Sequence, residues 1–345
     1  MKFSRLFTAI SCVALASAAL AAQDREAFPA PSTLSSSMAE TVGAPLVPLW
    51  QMEPKTTAEW EKIAGDYAKA AGAAALKLAE NFDVNVKAEK IANVPVHVLT
   101  PKTIAKDKEK KVIFYIHGGG YVLGHGVSGI TEAIPMTAWN GYRSICVDYR
   151  MAPQHPFPAA IDDAFAAYKE VVKQYGAENV AVFGTSTGGA MVLILALQAH
   201  AAGVPMPAAL ISGTPWADLD KVGDSYFVNA GVDNVLGNYD HMIKAAALAY
   251  ANGHDMKDPL LSPVYADDES LKAFPPTLLI SGTRDLFLSN TVRMHTRLLL
   301  NEAPSELIVY EALSHAQYYL NMQAPETRDH YRLMGDFLKR VWSKN

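Results

Sequence analysis

Cysteine is scarce in this chain of 345 residues, with only Cys12 and Cys146 present. Cys12 lies inside an apolar N-terminal run expected to be removed, and the one remaining thiol cannot close an internal disulfide. Cys146 sits in Arg143-Ser-Ile-Cys-Val-Asp148, where a buried core thiol is expected. Charge is also thin: 19% of residues are charged and the formal net charge is -5. The densest charged stretch, Lys106-Asp-Lys-Glu-Lys-Lys111, is mixed in sign, so nothing points to nucleic acid as a partner. No cluster of His, Cys, Asp or Glu has metal-ligand spacing, so no metal is expected. The segment His117-Gly-Gly-Gly-Tyr121 has neither a Gly-Lys-Ser/Thr ending nor Gly-x-Gly-x-x-Gly spacing, so a phosphate-binding loop is not expected there. Beyond the N-terminal run no apolar stretch reaches spanning length, and no basic helix carries aromatics, so no stable membrane insertion is expected.

What the chain has is apolar mass: half its residues are hydrophobic, enough for a large buried core. Residues 1–22 read as a signal peptide. Lys2 and Arg5 form a positive start, Leu6 to Leu20 is largely apolar but too short to span, and Ala19-Leu-Ala21 offers a cleavage pattern. Cleavage after Ala21 or Ala22 would export the protein, placing it in the periplasm or outside the cell. Residues 23–85 read as an extended arm followed by a helix. Pro29, Pro31, Pro45, Pro48 and Pro54 deny the arm a long helix, and disorder is expected near Ser35-Ser-Ser37. Over Thr57–Asn81 the residues Trp60, Ile63, Ala64, Tyr67, Ala71 and Ala74 mark one helical face.

From residue 86 to 345 the pattern alternates. Strands are predicted at Val94–Leu99, Val112–Ile116, Arg143–Tyr149, Val180–Gly184, Ala208–Ser212, Thr277–Ser281 and Glu306–Tyr310. Helices are predicted at Pro158–Tyr175, Thr187–Ala202, Tyr239–Ala251, Asn290–Asn301 and Pro325–Trp342. Short continuous apolar strands alternating with helices predict an α/β fold, a mostly parallel sheet covered on both faces. About residues 216–252 interrupt the rhythm, and this insertion is expected to fold over the sheet's carboxyl edge, where ligands bind in open α/β sheets. An exposed edge strand near the C-terminus is a candidate surface for a homodimer.

Three segments carry chemistry. Gly184-Thr-Ser186-Thr-Gly188 joins a predicted strand to a predicted helix; a Ser on such a turn is pushed out with its hydroxyl exposed, and Gly184 and Gly188 permit the tight approach of helix and strand. His117-Gly-Gly-Gly120 follows another strand. Glycines at Gly118, Gly119 and Gly120 leave backbone N–H groups bare, as donors to a developing oxyanion must be, with the N–H of Thr187 as partner donor. His117 is expected to position the loop. A nucleophilic Ser needs a base and the base an orienting acid, in chain order Ser, Asp or Glu, His. Asp285 and His315 each fall just past a predicted strand, in that order. Asp258 is the second choice of acid.

With these segments the chain resembles the hormone-sensitive-lipase-like (bacterial family IV) esterases of the α/β-hydrolase superfamily. The likeness runs from Val94 to the C-terminus and includes Asp148-Tyr-Arg-Met-Ala-Pro153, His155-Pro-Phe-Pro-Ala159 and Asp258-Pro-Leu-Leu-Ser-Pro263. It implies an α/β-hydrolase core with a helical cap built from the N-terminal segment and the insertion, and oxyanion donors at Gly119, Gly120 and Thr187. Two departures stand out: Thr185 and Thr187 flank the nucleophile where the family commonly has Asp and Ala, and Ala316-Gln317 follows the His where Gly-Phe is frequent. The expected chemistry is hydrolysis of short-chain carboxylic esters or lactones through an acyl-enzyme, with a small-molecule ester as partner and no cofactor. Lipase or acyltransferase activity on the same triad is the alternative. A non-catalytic small-ligand binding protein is the alternative of another class.

Overall fold

The structure, a computed structural model, describes residues 28–343; the expected leader lies outside the described residues. Eight strands form one sheet: β1 (Val84–Ile91), β2 (Val94–Pro101), β3 (Val112–Ile116), β4 (Arg143–Val147), β5 (Val180–Thr185), β6 (Ala209–Gly213), β7 (Thr277–Gly282) and β8 (Ser305–Tyr310). Their order is β1-β2-β4-β3-β5-β6-β7-β8. Only the pairings of β2, with β1 and with β4, are antiparallel; from β4 to β8 the sheet is parallel. The central strands are buried throughout, as Val112-Ile-Phe-Tyr-Ile116 shows, and their side chains alternate between two cores. Val112, Phe114 and Ile116 enter one; Ile113 and Tyr115 enter the other.

Ten helices among the described residues surround the sheet: α1 (Ser36–Val42), α2 (Thr57–Asn81), α3 (Ala133–Asn140), α4 (Ala159–Tyr175), α5 (Thr187–Ala202), α6 (Ser225–Val228), α7 (Met242–Ala251), α8 (Asp268–Lys272), α9 (Leu288–Leu300) and α10 (Pro325–Trp342). Helix α5 is apolar on every side and buried from Thr187 through Leu197, the pattern of a helix without a solvent face. By contrast α10 exposes its charged face and buries Tyr331, Met334, Phe337 and Leu338.

Five elements depart from the sequence expectation: β1, α1, α3 and the short helices α6 and α8. Strand β1 was hidden because seven of its eight side chains are not buried, so it lacks the hydrophobic alternation that marks a strand. It forms a hairpin with β2 through Ala92 and Asn93, both at positive φ (51° and 66°), the backbone of a tight primed turn. The division drawn at residue 85/86 falls inside this strand. The Ser-rich arm is also not wholly extended, for α1 occupies it. Ser35 caps that helix by accepting from Met38 N at 3.2 Å, and its own N–H and hydroxyl donate to Glu326 of α10, each at 2.7 Å. The partner that orders this stretch is 291 residues away. Pro135 speaks against a helix at Ala133–Asn140, yet that proline sits in the first turn of α3, where no intrahelical N–H is needed.

The parallel registers set up a site. Ile116 pairs with Gly184, Thr185 with Gly213, Gly213 with Ile280 and Gly282 with Tyr310. The carboxyl ends of β3, β5, β6, β7 and β8 therefore lie level, and the segments that leave them start side by side. The N-terminal arm and the connection after β6 meet over this edge: Val47 N donates to Asn234 O at 2.9 Å, Gln51 Nε2 to Leu236 O at 3.0 Å, and Asn234 Nδ2 to the carbonyls of Thr41, Val42 and Ala44.

Candidate active site

Ser186 occupies the turn between β5 and α5 with φ 64° and ψ -124°. Such a conformation is unfavourable for a non-glycine residue and persists only where neighbours over-determine it. They do so here: Ser186 N donates to Gly213 O at 2.8 Å, and the Ser186 carbonyl accepts from Ala190 N at 3.0 Å and Trp216 N at 3.1 Å. The glycines are required by the same crowding. A Cβ on Gly184 or Gly188 would collide with the carbonyl of Ile116 at the end of β3, and one on Gly118 would meet the Thr185 carbonyl at 2.8 Å.

Gly119, Gly120 and Tyr121 all have positive φ, at 113°, 67° and 64°. The Gly119 carbonyl turns inward and accepts from Val122 N and Leu123 N, while the N–H groups of Gly119 and Gly120 donate to no acceptor among the described residues. Thr187 is the first residue of α5, where backbone N–H groups have no intrahelical partner. His117 is buried and holds this loop rather than facing the serine. Its Nδ1 donates to Gly118 O at 2.7 Å, its ring stacks on Tyr149 at 4.2 Å, and the Tyr149 hydroxyl donates to the His117 carbonyl at 2.9 Å. Burial lowers the pKa of its imidazole, keeping the ring neutral. The Asp148-Tyr-Arg segment thus acts on the glycine loop, and Asp148 adds a bond from Gly126 N at 2.8 Å.

Asp285 and His315 come together as the sequence order predicts. Asp285 Oδ1 lies 3.0 Å from His315 Nδ1, and both side chains are buried. Since a carboxylate can only accept, Nδ1 carries the proton and Nε2 keeps its lone pair. The other carboxylate oxygen accepts from Ser281 Oγ at 2.6 Å and from Thr214 Oγ1, and Phe287 N donates to Oδ1 at 2.9 Å. Burial pushes the Asp285 carboxyl up, but the His315 charge and these hydroxyls outweigh it and hold the pKa below the ordinary value. Thr214 also lies 3.1 Å from His315 Nδ1 and has φ 33°, a strained angle for a β-branched residue. It directly follows Gly213, the acceptor of the Ser186 N–H, so one dipeptide joins the serine turn to the Asp–His pair. Asp258 bonds within its own turn, to Leu260 N at 2.8 Å, and is not the acid that faces His315.

Several residues that shape this site carry no motif. Asp233 is fully buried and accepts from the N–H groups of Leu286 and His315. Burial, and then the nearby Asp285 charge, push its carboxyl above the ordinary range. Asn229 Nδ2 donates to the Asp285 carbonyl at 2.8 Å. Ala316 stands in the left-handed region with φ 58°, the region glycine favours. Gln317 accepts from Ser314 N and donates to Asn234 Oδ1 and Thr41 O. Behind the Ser186 turn, Thr185 donates to the buried carboxyl of Glu132 at 2.6 Å, which also accepts from Tyr115 at 3.1 Å. A signal for these residues did exist, since charged side chains in apolar or insertion segments are seldom buried unless they hold something.

A parallel sheet with a strained serine between strand and helix, and an Asp–His pair past the following strands, defines an α/β-hydrolase. The family model described as alpha/beta hydrolase fold matches residues 113–319. An acetyl-hydrolase of Streptomyces hygroscopicus is 29% identical over 233 residues, covering 67% of this chain and 76% of its own. Among solved structures, esterase E25 is 38% identical with a TM-score of 0.86, covering 92% of this chain and 96% of that one. An esterase from the bacterial hormone-sensitive lipase family is 26% identical with a TM-score of 0.78, covering 89% and 99%. The chain belongs to the α/β-hydrolase-fold family, within its hormone-sensitive-lipase-like esterases.

Glu132 yields a prediction about stability. Burial raises its pKa from the ordinary 4.5 to about 8, against the bonds from Thr185 and Tyr115. The folded protein keeps a proton that the unfolded chain releases near 4.5, so this contribution to stability is full below that pH and is lost as pH rises through about 8. Thermal unfolding of Glu132→Gln and the parent from about pH 5 to about pH 9 should show the difference in Tm moving steadily in the variant's favour. A difference that stays constant across that range refutes it.

Proposed function

We propose that the protein hydrolyses short-chain carboxylic esters, with Ser186 as nucleophile, His315 as general base and Asp285 as the acid that orients it. The observation that carries this reading is the 3.0 Å Asp285–His315 contact joined through Thr214 and Gly213 to the strained Ser186 turn. His315 takes the Ser186 proton as the hydroxyl attacks the ester carbonyl, and Asp285 holds the tautomer and stabilises the imidazolium. The tetrahedral oxyanion is received by the N–H groups of Gly119, Gly120 and Thr187, a set of fixed donors whose individual removal costs about 100- to 1000-fold in related chemistry. The alcohol leaves with a proton from His315, and water, activated by the same base, releases the acid. A paired and buried His315 favours turnover over a receptor that only binds.

The surroundings of the serine support small substrates. Trp216, whose N–H bonds the Ser186 carbonyl, stacks on Phe287 at 5.4 Å, and Phe287 meets the His315 ring edge-on at 4.9 Å. On the oxyanion side Tyr121 stacks on Tyr250 of α7 at 3.6 Å, and Trp50 lies against Gly120. Arm, insertion and sheet each contribute rings, and we read the arm and insertion together as a cap over a finite pocket. The likeness to an acetyl-hydrolase supports the short end of the acyl range. We also propose export on the strength of the N-terminal leader, and pairing of two chains along β8, the strand at the sheet edge.

Ser186→Ala, His315→Ala and Asp285→Asn should each stay folded and lose roughly 10⁴-fold in kcat, Asp285 somewhat less, without the losses adding. Full activity in Asp285→Asn beside an inactive Ser186→Ala would remove Asp285 from its role. Across p-nitrophenyl esters, kcat/KM should peak between roughly two and six acyl carbons, because each methylene gains about 0.8 kcal/mol only until the pocket is full. A peak at about twelve carbons or more, or activation on emulsified triglyceride, would make the protein a lipase. Mass spectrometry of protein from the native host should find the N-terminus at Ala22 or Gln23; an intact Met1 in the purified protein contradicts export.

A further inference from the structure

We propose that Asp233, in the connection after β6, is a positioning residue for this reaction: it fastens both catalytic loops by their backbones and lends its charge to the imidazolium of His315. The inference rests on the triad reading above. Asp233 is fully buried. Its Oδ1 accepts from Val235 N at 2.9 Å and Leu236 N at 3.0 Å, closing a turn within the insertion. Its Oδ2 accepts from Leu286 N at 2.8 Å and His315 N at 3.2 Å. Leu286 follows Asp285 directly, so one carboxylate oxygen holds the loop of the acid and the loop of the base at their reactive residues. All four partners are N–H donors, the set that an ionised carboxylate satisfies and a neutral amide cannot match without turning an N–H toward one of them.

The charge has a defined audience. The titratable groups facing Asp233 are Asp285 and His315. Its remaining neighbours are neutral: Asn229, which bonds the Asp285 carbonyl; Asn234, whose N–H bonds Ser314 Oγ; and Gln317, which bonds Asn234. Arg284, adjacent to Asp285 in sequence, donates instead to the carbonyls of Phe28 and Pro29. No lysine or arginine among the described residues pairs with Asp233. His315 therefore becomes a cation beside two buried carboxylates, one at Nδ1 and one at its backbone N–H. Opposite charge at this range favours the protonated ring, and the buried setting leaves the effect poorly screened. The second carboxylate belongs to the insertion, so the segment read as part of the cap also holds the backbone of the base.

The test uses the full-length protein and p-nitrophenyl butyrate, with kcat and KM measured from about pH 5 to about pH 9 for the parent, Asp233→Asn, Asp233→Glu and His315→Ala. Asp233→Asn should lower kcat roughly 30-fold or more, leave KM within about threefold, and move the acidic limb of kcat/KM to lower pH by about half a unit or more. An unchanged kcat overturns the proposal, and so does a loss of kcat with the limb unmoved, which is what a merely structural contact would give. Asp233→Glu keeps the charge on a longer arm and serves if the Asn variant does not fold. Its limb should stay at the parent's pH while kcat falls, and a limb displaced to lower pH refutes the charge role. Activity surviving in His315→Ala would instead overturn the triad, separating the two failures.

Discussion

Everything at this site depends on a contact between backbones. The carbonyl of Ile116 at the end of β3 comes so close to Gly184 and Gly188 that neither position has room for a Cβ. That approach seats α5 on the sheet, and the seating bends the chain at Ser186 into a backbone few residues adopt. The bend is sustained by neighbours rather than by preference, through the bonds to Gly213, Ala190 and Trp216. Strain of this kind costs of order 1–3 kcal/mol, and α5, apolar on all sides, is anchored firmly enough in the core to offset it. Ser186 is thus displayed by packing density, and the glycines of β3–α5 serve that geometry.

A second constraint is the handling of buried negative charge. Asp285 and Asp233 are fully buried and Glu132 nearly so, and none is paired with a lysine or arginine. Each has a different solution. Asp285 is surrounded by hydroxyls and an imidazole, which hold its pKa down. Asp233 is supplied with four backbone N–H groups. Glu132 receives two hydroxyl donors, too few to outweigh its burial, and keeps its proton to about pH 8. The same side-chain chemistry therefore covers ionised and neutral roles within one core, decided by the donors each site provides.

What was legible in the sequence was whatever a strand or turn enforces locally. The strand Val112–Ile116 and the helices Thr57–Asn81, Thr187–Ala202 and Pro325–Trp342 match the predicted bounds: one apolar face marks the first helix, unbroken apolar runs mark the strand and α5, Gly203 ends α5 and Pro325 opens α10. Ser186, Asp285 and His315 could be read because each follows its own strand, and level registers bring strand ends together. What stayed hidden depends on pairing partners rather than on local pattern. Strand β1 is stabilised by its hairpin partner and not by burial, α1 by Glu326, and the Thr214, Asp233 and Gln317 contacts by loops brought together only after the sheet is complete. Periodicity cannot report a hydrogen bond to a residue more than fifty positions away.

The clasp between α1 and the C-terminal part of the chain has a consequence for assembly. Ser35 is bonded to Glu326, Ser37 and Thr41 to Asn321, and Thr41 to Gln317, spans of 276 to 291 residues. The same arm then holds Asn234, which reaches Ser314 next to His315. Contacts this distant close a very long loop, whose entropy is surrendered as they form. Gln317, Asn321 and Glu326, which hold α1, all lie beyond β8 in the chain. The loops that carry Asp285 and His315 thus sit between the two ends of the described chain, which Gln317, Asn321 and Glu326 tie to each other.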